Sequence, residues 1–198
     1  MSAVAGVILA GGLARRMGGG DKPLLVLRGE PILAHVITRL APQCAALVLN
    51  ANGDPARFAP FGLSVAADSV AGFAGPLAGV LAGMDFAAAN WPALDHVLSA
   101  PGDTPFLPAD LVERLASARA QAGADIAVAT SGGRTHHAVA LWPVALREDL
   151  RHALVIEDVR AVSAYIARRS SVAVSWDDAA GDPFFNVNRP EDLRAGGG

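Results

Sequence analysis

A short apolar run that stops at a pair of glycines constrains this chain more than any other feature. Val4-Ala5-Gly6-Val7-Ile8-Leu9-Ala10 carries no charge and no apolar/polar alternation, and Gly11-Gly12 closes it. A strand with one wet face would alternate. A continuous run of this length fits a strand covered on both faces, as in the middle of a parallel sheet. The loop that follows is Gly11-Gly12-Leu13-Ala14-Arg15-Arg16-Met17-Gly18-Gly19-Gly20-Asp21-Lys22. Glycine lets backbone N–H groups approach an oxyanion closely, and basic side chains neutralise the charge that remains. The combination suits a polyphosphate, whereas a plain surface connection between strand and helix has no need of the basic residues.

The lysine sharpens this reading. Of the 16 Lys and Arg residues in the chain, Lys22 is the single lysine. A compact, strongly hydrated ammonium differs from a planar guanidinium in reach and geometry, so its use here points to phosphate contact. Pro23 stands where a Walker P-loop requires Ser or Thr, Asp21 stands where it requires Gly, and no G-x-G-x-x-G opens a helix. A phosphate-binding class distinct from both is indicated.

Beyond the loop, strands and helices alternate. A helix is predicted from Pro31, with Ile32, Leu33, Val36, Ile37 and Leu40 on one face until Pro42. Strands follow at Ala46–Asn50 and Leu63–Ala67, an alanine-rich helix at Pro76–Ala89, a strand at Asp95–Ala100 and an amphipathic helix at Ala109–Gln121. The later chain is less regular. Strands are expected at Ile126–Ala129, Ala138–Trp142, Val172–Trp176 and Phe184–Val187, with a helical region over Val144–Arg169. Alternation with short loops argues for a three-layer α/β domain whose ligand sits at the carboxyl ends of the parallel strands. A chain of 198 residues fits one such domain, taken as 1–195, with Gly196–Gly198 a flexible tail.

Charge and composition exclude several classes. A formal net charge of -3 and a pI near 5.9 leave no electrostatic footprint for a nucleic-acid backbone or an anionic membrane surface. No apolar run approaches the roughly 18 residues of a membrane helix. The apolar N-terminus lacks a basic flank and a cleavage site, so it reads as a strand of a cytoplasmic protein. The lone Cys44 excludes an internal disulfide framework and a cysteine-based zinc site. His136-His137 invites a metal reading, but neighbours on a strand point to opposite faces and cannot readily share one ion.

The series Leu9-Ala-Gly-Gly-x-x-x-Arg16-Met-Gly-x-x-Asp21-Lys22-x-Leu-Leu-x-x-x-Gly29-x-Pro31 resembles the nucleotidyltransferases with a LAGG-x-x-x-RMG-x-x-K signature, and among them the molybdenum cofactor guanylyltransferase (MobA) family. The likeness spans nearly the whole chain. Asn50-Ala-Asn52, Asp68, Gly75-Pro-Leu-Ala-Gly79, Asp103-Thr-Pro105 and Asn186-Val-Asn188-x-Pro190 appear in the family's order. The resemblance implies a Rossmann-like nucleotidyltransferase fold with a mainly parallel central sheet. It implies transfer of GMP from GTP to the terminal phosphate of molybdopterin, with Mg²⁺ as cofactor and other molybdenum-cofactor biosynthesis or chaperone proteins as partners. It places Leu9, Ala10, Gly11 and Gly12 on the nucleotide, Arg15, Arg16 and Lys22 on its phosphates, Asn50 and Asp68 by base and ribose, and Asp103 on the metal. Lys22, Asp103 and Arg16 become the catalytic set, and Asn186, Asn188, Arg160 and His137 the acceptor contacts. The nucleotide side is expected over about 1–105 and the acceptor side over the remainder.

Chemistry supports such a set. In-line displacement at phosphorus asks for positioning and charge neutralisation, and an ionised phosphate nucleophile needs no general base. A carboxylate at a strand end is a hard oxygen ligand for Mg²⁺, which keeps several waters and bridges phosphates. Taken alone, Asp103 and Asp68 also fit turn chemistry, and Asn188 fits a helix cap. Two other functions share these features: a cytidylyltransferase or sugar-1-phosphate nucleotidyltransferase of the same fold, and a nucleotide-binding regulatory protein without turnover.

Overall fold

The computed structural model describes residues 4–11, 22–70, 72, 75–187 and 192. In chain order the elements begin with β1 (Val4–Leu9), a small hairpin of β2 (Val26–Leu27) and β3 (Glu30–Pro31), α1 (Ile32–Leu40), β4 (Ala46–Asn50) and β5 (Ser64–Ala66). They continue with α2 (Pro76–Asn90), β6 (His96–Pro101), α3 (Leu111–Ala122), β7 (Ile126–Ser131), β8 (Arg134–Pro143), α4 (Arg147–Val155), α5 (Val162–Ile166) and β9 (Ser171–Trp176). Seven strands form one sheet in the order β5-β4-β1-β6-β8-β7-β9. Every described pairing in it is parallel except the two made by β8.

The two-faced apolar character of β1 is used as its sequence requires. Ile8 joins a core layer with Leu33, Val36 and Leu40 of α1 and Leu111 and Leu115 of α3. Val7 joins the opposite layer with Leu77, Val80 and Met84 of α2, Leu150 and Leu154 of α4, and Val162 and Tyr165 of α5. The period-two alternation of a strand thus feeds two helical layers, giving the expected three-layer α/β architecture. Helix α2 lies unusually close to the sheet: a Cβ on Gly83 would overlap the Val7 side chain. Cys44 is packed between α1 and β4, and burial pushes its thiol pKa up to about 12, which suits a filler and not a nucleophile.

The irregular later chain departs from expectation in three places. Strand β8 starts at Arg134, before Ala138, because Gly132 (φ 52) and Gly133 (φ 75) both take positive φ in a two-residue hairpin turn after Ser131. The helical region is broken into a 3₁₀ turn at Val144–Leu146, α4 and α5; between the two helices Asp158 adopts φ 54. Phe184–Val187, expected as a strand, is a turn and extended segment with no ladder partner among the described residues. Phe184 and Val187 are buried because they face inward from the turn, while Phe185 between them is exposed. No helix among the described residues is long and apolar enough to cross a membrane.

Candidate active site

Strands β1, β4, β5 and β6 run parallel, so their carboxyl ends emerge at one edge of the sheet. Successive connections place β4 and β5 on one side of β1 and then β6 on the other. The order reverses between β1 and β6, and such a switch point opens a crevice past the strand ends. The ladder continues briefly beyond the strands, with Ala10 N–H donating to the Asn50 carbonyl at 2.8 Å and Gly102 N–H to the Leu9 carbonyl at 2.9 Å. A cleft of about 360 Å³ lies there, lined among others by Leu9, Gly11, Lys22, Asn50, Asp68 and Asp103. Gly75 and Pro76 bring the start of α2 to its rim, where first-turn N–H groups contribute partial positive charge.

Asp103 stands two residues past β6 on the cleft floor. One carboxylate oxygen pairs with the Lys22 ammonium, and the other accepts a hydrogen bond from Asn186 Nδ2 at 3.1 Å. The Asp103 carbonyl also accepts from the Val187 N–H at 3.0 Å. Lys22 reaches it from a 3₁₀ turn, Lys22–Leu24, anchored by the buried Pro23. The side chains of Lys22 and Asp103 expose 12% and 15%, so water screens the pair less than it would at an open surface. The result is a charge pair and an amide, 81 and 83 residues apart in sequence from Asp103, meeting on one carboxylate.

A second polar group forms the opposite wall. Register pairs Asn50 of β4 with Ala66 of β5, which sets Asn52 opposite Asp68 two residues later. Asn50 Nδ2 donates to Asp68 Oδ1 at 2.9 Å and to the Ala66 carbonyl at 3.2 Å. Asn52 Nδ2 donates to Asp68 Oδ2 at 2.8 Å, and its Oδ1 accepts from the Asp68 N–H at 2.9 Å. Both carboxylate oxygens are therefore held, in one orientation, by two amides. Helix α2 makes room for this: a Cβ at Gly79 would overlap the Asn50 side-chain amide and crowd Leu9.

Of the residues expected from the sequence, Leu9, Gly11, Lys22, Asn50, Asp68, Asp103 and Asn186 line the cleft. Ala10 is fully buried and contributes its backbone at the floor. Gly12, Arg15, Arg16 and Asn188 lie outside the described residues. His137 and Arg160 are set back from the lining. His137 sits where one step along β7, Val128 to Ala129, spans Ala140 to His136 on β8, and its neighbour Ala138 lines the cleft. Arg160 pairs with Asp158 at 2.8 Å, and its carbonyl lies 4.0 Å from where a Gly75 Cβ would stand, so its backbone borders the rim. Asn52 and Ala138 were not anticipated as lining residues. For Asn52 the spacing Asn50-Ala51-Asn52 at a strand end was the available signal, since alternate residues share a face.

A family model described as the MobA-like NTP transferase domain matches residues 6–173. The chain belongs to this family. This MobA-like chain is 60% identical, over 192 residues, to a protein of Bradyrhizobium sp. (strain ORS 278) named molybdenum cofactor guanylyltransferase, covering 97% of the present chain and 91% of the relative. Among solved structures, molybdopterin-guanine dinucleotide biosynthesis protein A from Archaeoglobus fulgidus superposes with a TM-score of 0.73 at 21% identity, covering 96% and 95% of the two chains. A Mycobacterium tuberculosis H37Rv protein whose structure is a complex with manganese gives 0.68 at 18% identity, covering 98% and 97%. These two share the fold of the family member described here. The chain is a nucleotidyltransferase.

Proposed function

We propose that this enzyme transfers GMP from GTP to the terminal phosphate of molybdopterin, giving molybdopterin guanine dinucleotide and pyrophosphate. An acceptor phosphate oxygen attacks the α-phosphorus, the bond from that phosphorus to the bridging oxygen breaks, and pyrophosphate leaves. The observation that carries this reading is the meeting of Lys22, Asp103 and Asn186 at the switch-point cleft, in a chain 60% identical to a named guanylyltransferase.

The roles are assigned from the resemblance and, for the described residues, from their place in the cleft. The loop after β1 serves the triphosphate, whose charge Arg15, Arg16 and Lys22 offset. Asn50 and Asn52 hold Asp68 at the wall that receives base and ribose. Asp103 would hold the divalent cation, which we take as Mg²⁺; a single hard carboxylate suits an ion that keeps most of its waters. Such an ion supplies charge neutralisation at phosphate oxygens when bound. Asn186 fixes the Asp103 carboxylate, and with Asn188, Arg160 and His137 it serves the acceptor side. The nucleotide side then occupies about 1–105 and the acceptor side the rest of one domain, in a cytoplasmic enzyme.

Incubation of the purified protein with Mg²⁺, labelled GTP and molybdopterin tests this. Guanylylated pterin with stoichiometric pyrophosphate is expected. CTP outcompeting GTP would replace guanylyl by cytidylyl transfer, and tight GTP binding without product would leave a nucleotide-binding protein.

A further inference from the structure

The β7–β8 hairpin and the chain after β9 share a polar cluster in which Ser131 and His136 are buried and Asp182 half-buried. Ser131, the last residue of β7, is 3% exposed; its Oγ lies 2.6 Å from His136 Nε2 and 2.7 Å from Asp182 Oδ1. The same Asp182 oxygen accepts from the Phe184 N–H at 2.9 Å. The buried Phe184 ring packs on His136, with centroids 4.7 Å apart, and edge-on to Trp176 at 5.3 Å. Two residues later Asn186 bonds the Asp103 carboxylate, and Val187 bonds the Asp103 carbonyl.

Proton counting gives the cluster a direction. A carboxylate only accepts, so Ser131 donates its one proton to Asp182, and the contact with His136 requires the imidazole to donate from Nε2. The chain of donors runs His136 to Ser131 to Asp182. A serine nucleophile needs the opposite order, with serine giving its proton to histidine. Burial of Ser131 agrees: this is not a second hydrolytic site. Apolar packing of Phe184 alone would bury the turn but leave its rotation loosely set; directional hydrogen bonds fix it.

We propose that Ser131, His136 and Asp182 form a positioning latch for the transfer reaction, holding the turn at 182–187 so that the Asn186 amide meets the Asp103 carboxylate. The proposal rests on the assignment of Asp103 and Asn186 to the reaction made above. The three residues touch no substrate; they act through Asn186.

The test is steady-state turnover with the full chain, saturating Mg²⁺-GTP and varied molybdopterin, together with GTP titration and thermal melting. Ser131→Ala and Asp182→Ala should each lower kcat about tenfold while the GTP Kd stays within about twofold. Asp182→Asn, whose side-chain oxygen still accepts from Ser131 and Phe184, should keep most activity and supplies a variant expected to fold. In an Asn186→Ala background, Ser131→Ala should add no further loss. Multiplicative losses in the double variant, or a kcat loss that merely tracks the fraction of unfolded protein, would overturn the latch. Full activity of Asn186→Ala would instead refute the underlying site assignment, and the latch with it.

Discussion

The two halves of the sheet place their functional residues by different means. In β5-β4-β1-β6 every pairing is parallel, and the side chains that line the cleft stand at or just past strand ends. Backbone register does the placing: Asn52 faces Asp68 because Asn50 faces Ala66. In β8-β7-β9 the direction changes, the ladder slips at Val128/Ala129, and beside Ala138 of β8 the polar contribution to the cleft, Asn186, arrives on a turn tied back through Ser131 and Asp182. Register is set by local pattern and twist, whereas a side-chain tie joins residues 51 apart in sequence. The first half thus places its charged groups by backbone register, and the second places Asn186 by side-chain ties.

The comparison can be broken most directly at Asp103. Replacing it with alanine should cut pyrophosphate release by at least about 100-fold, near 3 kcal/mol in the barrier, since cation and amide lose their common anchor. A variant within tenfold of the parent would move the chemistry away from the parallel half. Lys22→Ala comes next. Loss of a charged hydrogen bond to phosphate costs about 1.5–3 kcal/mol, read as roughly 10- to 150-fold in kcat/KM for GTP, and Lys22→Arg should not restore it. Gly79→Ala should destabilise by about 1–3 kcal/mol, visible in thermal melting, and weaken GTP binding as Asn50 is displaced. Stabilisation there, the usual result of Gly→Ala in a helix, would show that α2 does not gauge the cleft wall.

The smallest effect belongs to the other half. Burial raises the Asp149 pKa, but hydrogen bonds from Tyr165 and Arg169 outweigh it and hold the group below its ordinary 3.8. A folded pKa below the unfolded one means stability that is present above about pH 4 and lost as pH falls through the folded value. Asp149→Asn should therefore lower the melting temperature by a few degrees at pH 7 and converge with the parent in strong acid, with turnover at pH 7 unchanged. A loss of turnover would tie helices α4 and α5 more closely to the chemistry than the comparison allows.

What could be read in advance follows the same division. The continuous apolar run of β1, the helix-period face of α1 and the glycines of α2 each report a local requirement, and the parallel half stood as expected. The lining of the cleft is legible where it depends on residue type: a lone lysine after a glycine loop, and acids past strand ends. The segment Phe184–Val187 imitates a strand by its aromatic and β-branched residues; the burial of Phe184 and Val187 comes from a turn pinned by Asp182. Asn52 gains its value only because β4 and β5 are neighbours, a fact of topology and not of composition. The break between α4 and α5 is set by Asp158 at positive φ, which an aspartate tolerates without advertising it.

The position of each wall in the sheet also bears on how the molecule breathes. Asp103 follows β6, which is flanked by β1 and β8, while Asp68 follows β5, a three-residue strand at the outer edge. Amides near an edge exchange through small local openings, and those in the interior await larger ones. On the roles proposed above, the Asp68 wall opens in small local events while the Asp103 carboxylate between β1 and β8 stays registered, so exchange of nucleotide leaves that alignment intact.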